Sequence, residues 1–368
     1  MATGRKFNFS AGPATLPESV LAELREAVWS VDGTGIGLLE HSHRAEWFMR
    51  VAADTEAAVR AAFGAGEDWS VTFMQGGASL HFNLLPLNFL PLDAVADYPD
   101  TDVWSAKAIR EGRALHEAGL CGRVAVPFDG QTSDYDHAPA QTELRCSPQA
   151  AYFHYCSNNT VRGTRFATAP RVDAPLFCDV SSEALSRPID LARHSLIYAT
   201  AQKNLGAAGL VLVLARRELL ARARRDLPSM LSYPAFEKAQ SMPNTPPTTG
   251  IWLLGRMVRW VLTEGGVAEM ERRAAHRAGL LYAEIDRSGG FYHGLSRPDC
   301  RSHMNVSFRL PSAELDSRFA REAAAQGMVT LEGHREVGGI RASIYNAFPL
   351  AGVQALASFM REFARLNG

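Results

Sequence analysis

Apolar and polar positions follow two different periods along this chain, and the order of those periods predicts its architecture. Apolar residues recurring every three to four positions mark amphipathic helices from Glu18 to Val31, Trp47 to Phe63, Leu253 to Ile285, Ala313 to Gln326 and Gly352 to Leu366. Between them lie short, nearly continuous apolar runs: Val71 to Met74, Ala150 to Tyr155, Leu176 to Cys178, Ser195 to Tyr198 and Gly209 to Leu214. Such runs suit strands covered on both faces. Strands alternating with helices up to about residue 260 imply an α/β domain around a mostly parallel sheet. Beyond it, His303 to Leu310 alternates polar and apolar, and a helix, the run Ile340 to Tyr345 and a last helix follow. That order predicts a smaller α+β unit.

Length agrees with two units, because 368 residues exceed the ~250–300 that one core accommodates. The formal charge of −1 provides no overall field for nucleic acid or an anionic membrane, so any anion site must be local. Cys121, Cys146, Cys156, Cys178 and Cys300 are odd in number and lack a C-x-x-C pair, which argues against a disulfide framework or a zinc site. The start, Met1 to Lys6, has charge but no apolar stretch behind it, and Arg256 and Arg259 break the apolar run Ile251 to Leu262. A cytoplasmic protein with no metal, nucleic-acid or membrane partner is the expectation.

The chemistry concentrates around one lysine. Lys203, in Ala201-Gln202-Lys203-Asn204, stands between a strand-like run and a glycine-rich segment, while Asp179 ends the run Leu176-Phe177-Cys178. An acid and a lysine at strand ends suit pyridoxal 5'-phosphate: the carboxylate pairs with the pyridinium nitrogen and the amine holds the aldehyde as a Schiff base. The loop Gln75-Gly76-Gly77-Ala78-Ser79 follows a strand and opens a helix at about Leu80, so free amides there suit a phosphate. Ser79 reads equally as that helix's N-cap. Trp104 opens another helix, where its ring either packs in the core or stacks on a planar cofactor. Thr160, just past a strand, is either a turn residue or a donor to the cofactor's phenolic oxygen.

A set of motifs in fixed order carries a resemblance over essentially the whole chain. They are Phe7-Asn8-Phe9-Ser10-Ala11-Gly12-Pro13, His41-Ser42-His43-Arg44, Gln75-Gly76-Gly77-Ala78-Ser79, His154-Tyr155-Cys156-Ser157-Asn158-Asn159-Thr160, Ala201-Gln202-Lys203-Asn204, Asn244-Thr245-Pro246-Pro247, and Gly333 to Asn346 with Arg335 and Arg341. With them the chain resembles the phosphoserine aminotransferase family, class V aminotransferases of fold type I. The resemblance implies a large domain, residues 16–262, around a mostly parallel seven-stranded sheet, and a small α+β domain from 1–15 and 263–368. It implies Lys203 as the Schiff-base lysine, Asp179 under the ring nitrogen, Trp104 on the ring and Thr160 at its edge. Ala78, Ser79 and Gln202 would hold the phosphate, with Asn244 and Thr245 reaching it across a homodimer. Some members carry arginine where Ser79 stands, so backbone donors and the helix end are expected to meet more of the charge here.

The same resemblance implies transfer of an amino group between phosphoserine/3-phosphohydroxypyruvate and glutamate/2-oxoglutarate, with a phosphorylated threonine precursor of the cofactor as a further substrate. His43, Arg44, His334 and Arg335 would read the phosphate or side-chain carboxylate, and Arg341 the α-carboxylate, which its planar fork matches. Arg162, Arg165 and Arg222 to Arg225 read as solvated surface. Two rivals stand beside this reading. A fold type I lyase or desulfurase would share Lys203 and Asp179, though a desulfurase needs a mobile nucleophilic cysteine; a cofactor-binding regulator without turnover would leave the arginines unexplained.

Overall fold

A computed structural model describes residues 4–368, so the first three residues of the N-terminal segment lie outside the described residues. The centre is a seven-stranded sheet in the spatial order Trp69–Gln75, Leu210–Arg216, Leu196–Thr200, Leu176–Asp179, Phe153–Cys156, Val95–Asp97, Arg123–Ala125. Leu210–Arg216 runs antiparallel to both its neighbours, and every other pairing is parallel. All residues of Leu176–Asp179 and Leu196–Thr200 are buried, which is why these strands show apolar runs rather than alternation. Successive side chains nevertheless enter opposite layers. Ile197 and Ala199 join the core under the helices Glu46–Phe63 and Thr248–Thr263, while Leu196 and Tyr198 join that under Ala78–Phe89 and Val103–Glu117. Each such Leu or Ile contributes about 1.5–3 kcal/mol by burial, so the sheet end that carries the chemistry is held from both faces.

A separate core gathers Phe9 with residues from Ala278 to Phe363. It packs the helices Gly266–Arg287, Ala313–Ala325 and Leu350–Asn367 against an antiparallel sheet ordered Ile340–Ser343, Asn305–Arg309, His293–Gly294. Phe7–Asn8 pairs in parallel with Met328–Val329 and thereby brings the start of the chain to this core.

Three expectations change. The periodicity from Leu253 to Ile285 is two helices, Thr248–Thr263 and Gly266–Arg287, broken at Gly265, whose φ of 108° no ordinary helical residue adopts. The first helix stops at Trp29, and Val31 begins a single 3₁₀ turn containing Asp32 at φ 47°. Val95–Asp97 and Arg123–Ala125 were not foreseen as strands, since three residues are too few to display a period.

Candidate active site

Lys203 lies in the turn between Leu196–Thr200 and Leu210–Arg216. That turn is fixed from three sides. The Gln202 carbonyl accepts the Ala14 amide at 2.9 Å, Asn204 Nδ2 donates to the Ser182 carbonyl at 2.9 Å, and Asn204 Oδ1 accepts the Asn346 amide at 2.9 Å. Asp179 ends the neighbouring strand, 8% exposed, with its Oδ1 accepting the Ser181 amide at 2.8 Å. Burial raises the Asp179 carboxyl above its ordinary range, with the Lys203 charge opposing the shift. Burial likewise lowers the Lys203 amine, against the pull of Asp179 and with help from the Arg341 charge. The two partners' shifts have one dominant cause, the dry surroundings, and the result is an amine closer to its neutral, nucleophilic form.

Trp104 and Thr160 meet because Asp102 holds both segments. Asp102 caps the helix Val103–Glu117, its Oδ1 accepting the Val103 amide at 2.8 Å while Ser105 Oγ accepts the Asp102 amide at 2.8 Å. Its second oxygen accepts the Val161 and Arg162 amides at 3.2 Å. Trp104 Nε1 then donates to Thr160 Oγ1 at 2.9 Å. Lys203 Nζ stands 5.8 Å from the centre of the Trp104 ring.

These residues enclose a cavity of about 120 Å³ lined by Ala78, Ser79, Trp104, Asp179, Gln202 and Lys203. The helix on its wall begins at Ala78 rather than near Leu80, because Gly76 at φ 101° completes the turn early. Its N-cap is Gly77, with no side-chain cap, so the capping role weighed for Ser79 is overturned. Ser79 instead sits inside the first turn, and its Oγ accepts Lys107 Nζ at 2.7 Å. First-turn amides have no partner within a helix and are free for an anion. Thr200 Oγ1 donates to Gln202 Oε1, orienting that amide. Asn158 also lines the cavity, and its buried Oδ1 has no hydrogen-bond partner among the described residues. An amine, a buried acid, a flat indole, free amides and an unanswered acceptor together fit pyridoxal phosphate.

A second cavity, about 460 Å³, lies beyond Trp104 and is lined by Trp104, Lys107, Tyr135, Arg162, His334 and Arg335. Arg335 is exposed and His334 half-buried, and burial with the nearby Arg341 charge lowers the His334 ring. Arg341 Nη1 donates to the Thr160 carbonyl at 3.4 Å. Lys203, Asp179, Ala78, Ser79, Trp104, Gln202, Thr160, Arg341, His334 and Arg335 are thus brought to one region. His43, Arg44, Asn244 and Thr245 line neither cavity. Asn244 Oδ1 accepts Gln75 Nε2 at 2.8 Å, and Arg44 and Thr245 are exposed.

Arg162 and Arg165 do not read as solvated surface. Arg162 is buried, donating to the Asp134 carbonyl at 2.9 Å and pairing with its carboxylate, and the Arg165 side chain is 19% exposed near Glu183. Both follow Thr160 into the join between the cores, where a charge is kept only if partnered. Asn158 and Lys107 were missed as site residues, although Asn158 lies inside the motif His154 to Thr160 and Lys107 follows Trp104 by three positions on one helix face.

The Aminotransferase class-V family model matches residues 6–356. The Rhodopirellula baltica protein called phosphoserine aminotransferase is 45% identical over 99% of this chain and 96% of its own length. The solved phosphoserine aminotransferase from Bacillus circulans subsp. alkalophilus is 40% identical, covers 100% of both chains and superposes with a TM-score of 0.95. The pyridoxal-phosphate-bound phosphoserine aminotransferase from Trichomonas vaginalis is 34% identical over 97% of this chain and 100% of its own, at a TM-score of 0.91. With a lysine, an acid and a flat indole already converging on one cavity, full-length agreement at this level means that the chain belongs to the class V aminotransferases, in their phosphoserine aminotransferase family, and is pyridoxal-phosphate-dependent.

Proposed function

We propose that the chain transfers the amino group of glutamate to 3-phosphohydroxypyruvate, giving O-phosphoserine and 2-oxoglutarate, and that it accepts the phosphorylated threonine precursor of the cofactor as well. The observation that carries the substrate class is the cavity beyond Trp104, where Lys107, Arg110 and Arg335 stand with Arg162, itself paired to Asp134, against one lining carboxylate, Glu336, in an almost neutral protein. A phosphate with nearly two charges is the ligand such a cavity favours over a neutral side chain. Arg341, beside the Trp104–Thr160 pair, is placed for the α-carboxylate that both amino acids share.

When bound, the cofactor supplies an aldehyde that condenses with amines and a pyridinium ring that accepts the electron pair left by α-proton removal. Lys203 Nζ would hold the aldehyde and, once a substrate amine has taken its place, would serve as the base and acid that moves the proton of the substrate α-carbon. A pKa lowered by burial suits this amine to both roles, because it shifts the balance toward the neutral form that a nucleophile and base require. Asp179 would keep the ring nitrogen protonated, and Trp104 and Thr160 would hold the ring's face and edge. Ala78, Ser79 and Gln202 take the phosphate.

The half-buried His43 and the exposed Arg44, Asn244 and Thr245, outside both cavities of their own chain, support a homodimer in which each site borrows them from the partner. In this reading residues 16–262 form the cofactor domain and 1–15 with 263–368 the smaller one, in keeping with the separate core around Phe9. The thiols weigh against a desulfurase: burial pushes Cys121 up to about 11 and raises Cys146, Cys156, Cys178 and Cys300 too. The deciding experiment adds glutamate to the purified holoenzyme, then 3-phosphohydroxypyruvate or its unphosphorylated analogue. Glutamate should bleach the lysine-bound absorbance with release of 2-oxoglutarate, and the phosphorylated keto acid should restore it far more efficiently. Equal restoration by both keto acids would refute the substrate assignment, and no bleaching would refute transamination.

A further inference from the structure

The geometry points to Lys107 as the residue that supplies positive charge to the cofactor phosphate, acting with the Ser79 hydroxyl. This inference rests on the placement of that phosphate over Ala78, Ser79 and Gln202. Lys107 Nζ lies 2.7 Å from Ser79 Oγ, its one hydrogen-bond partner among the described residues. An ammonium has three N–H groups, so two remain after this bond. The hydroxyl that accepts from Lys107 must turn its own hydrogen elsewhere, and Ser79 lines the cavity in which the phosphate is placed. Ser79 is thereby set as a donor.

Charge balance calls for such a residue. A phosphate monoester carries about −1.5 to −2 at neutral pH, and a helix N-terminus offers only about +0.5. The other polar residues lining the cavity, Asn158, Ser182, Thr200 and Gln202, are neutral, and Asp179 is an acid. Lys203 is committed to the aldehyde. Lys107 closes the deficit from one turn beyond Trp104, its Nζ 5.9 Å from the same ring centre that Lys203 faces from 5.8 Å. The half-buried Lys107 also borders the second cavity, so its ammonium stands between the two anion sites and its allegiance can be measured.

The test titrates apoenzyme with pyridoxal phosphate and, separately, with pyridoxal, which lacks the phosphate, following absorbance of the lysine-bound form. Lys107→Met should raise the Kd for pyridoxal phosphate roughly tenfold to a hundredfold, the range for losing one charge-assisted bond, and leave that for pyridoxal unchanged. Lys107→Arg should retain most of the affinity. Ser79→Ala combined with Lys107→Met should cost less than the product of the single losses, because the two act through one bond. An unchanged Kd for pyridoxal phosphate overturns the inference. Equal loss of both ligands overturns it too, since that marks a merely structural lysine, and so does a loss confined to phosphoserine binding, which would assign the ammonium to the substrate cavity. Ser79→Ala and Gln202→Ala serve as the reference for the underlying placement. If neither weakens pyridoxal phosphate relative to pyridoxal, the phosphate is not where the proposed function puts it; if both do and Lys107→Met does not, Lys107 alone is ruled out.

Discussion

Arg335→Leu offers the sharpest probe of substrate reading, because the structure lets its effect be sized for two substrates. Arg335 is exposed and lines the cavity beyond Trp104, so removing it leaves no buried charge uncompensated. A charge-assisted hydrogen bond to phosphate contributes about 1.5–3 kcal/mol, and an arginine that is hydrated before binding belongs at the low end, about tenfold in catalytic efficiency for phosphoserine. Coulomb energy scales with ligand charge, and the glutamate side chain carries about half that of the phosphate. Half the energy is the square root of the factor, about threefold. Arg341 is different: burial lowers its guanidinium and it donates to the Thr160 carbonyl at 3.4 Å, so Arg341→Leu removes a partly desolvated contact to a carboxylate that both substrates present. A loss of roughly a hundredfold for both is expected. Stopped-flow measurement of each half-reaction, with phosphoserine or glutamate converting the lysine-bound absorbance, gives the four efficiencies directly. Equal losses for the two substrates in Arg335→Leu, or a selective loss in Arg341→Leu, would refute the assignment of phosphate to the first and α-carboxylate to the second.

Lys203→Ala should abolish both the lysine-bound absorbance and multiple turnover, since Lys203 is the lysine that lines the cavity, and normal steady-state activity in that variant would end the proposed mechanism. Mixing Lys203→Ala subunits with Asn244→Ala subunits should restore activity, because one site of a mixed dimer would be intact; proven subunit exchange without recovery would refute the shared site. Acid should destabilise the fold through His81 and His154, which are fully enclosed, bonded to Tyr233 Oη at 2.7 Å and Tyr198 Oη at 2.9 Å, and held neutral with pKa values of about 3. The unfolded chain takes up these protons below 6.5 and the folded chain does not, so stability is full above that pH and falls as pH drops from 6.5 toward 3. One unit below 6.5 each ring costs about 1.4 kcal/mol, and urea unfolding at two pH values should show that His81→Asn removes one such share; an unchanged pH dependence would show that the ring is protonated in the fold.

What the sequence displayed and what it concealed follow from the range of the interactions. The buried strands were legible because Leu176-Phe177-Cys178 and Ser195 to Tyr198 are local apolar runs, and their parallel pairing sets Asp179 opposite Tyr198, with Lys203 in the turn just past the end of that strand. The antiparallel course of Leu210–Arg216 was not, since direction leaves no mark on composition. Ser79 misled because a serine near a helix start has the same local signature whether it caps or not, and the decision lies with Gly76 and with Lys107 on another helix. Arg162 misled for a related reason: its partner, Asp134, sits in a loop whose approach no periodicity announces.

The geometry around Lys203 depends on the least legible contacts of all. Asn204 receives the Asn346 amide across 142 positions of sequence, and Asn158 Nδ2 donates to Asn305 Oδ1 across 147. Both bonds are buried and join the segments that carry Lys203 and Thr160 to those of the smaller core, whose strand Ile340–Ser343 carries Arg341. Buried amides make such links directional where apolar packing alone would tolerate sliding, because a displaced Asn would leave its polar atoms unpaired at a cost of about 1–3 kcal/mol each. Asn305 extends the chain of bonds to Ser343 Oγ at 2.9 Å, on the same strand as Arg341. Lys203 and Arg341 are therefore held relative to one another through Asn204, the chain neighbour of Lys203, and through Asn158, Asn305 and Asn346, and the invisibility of these links in sequence periodicity is the expected consequence of a role exercised only between distant segments.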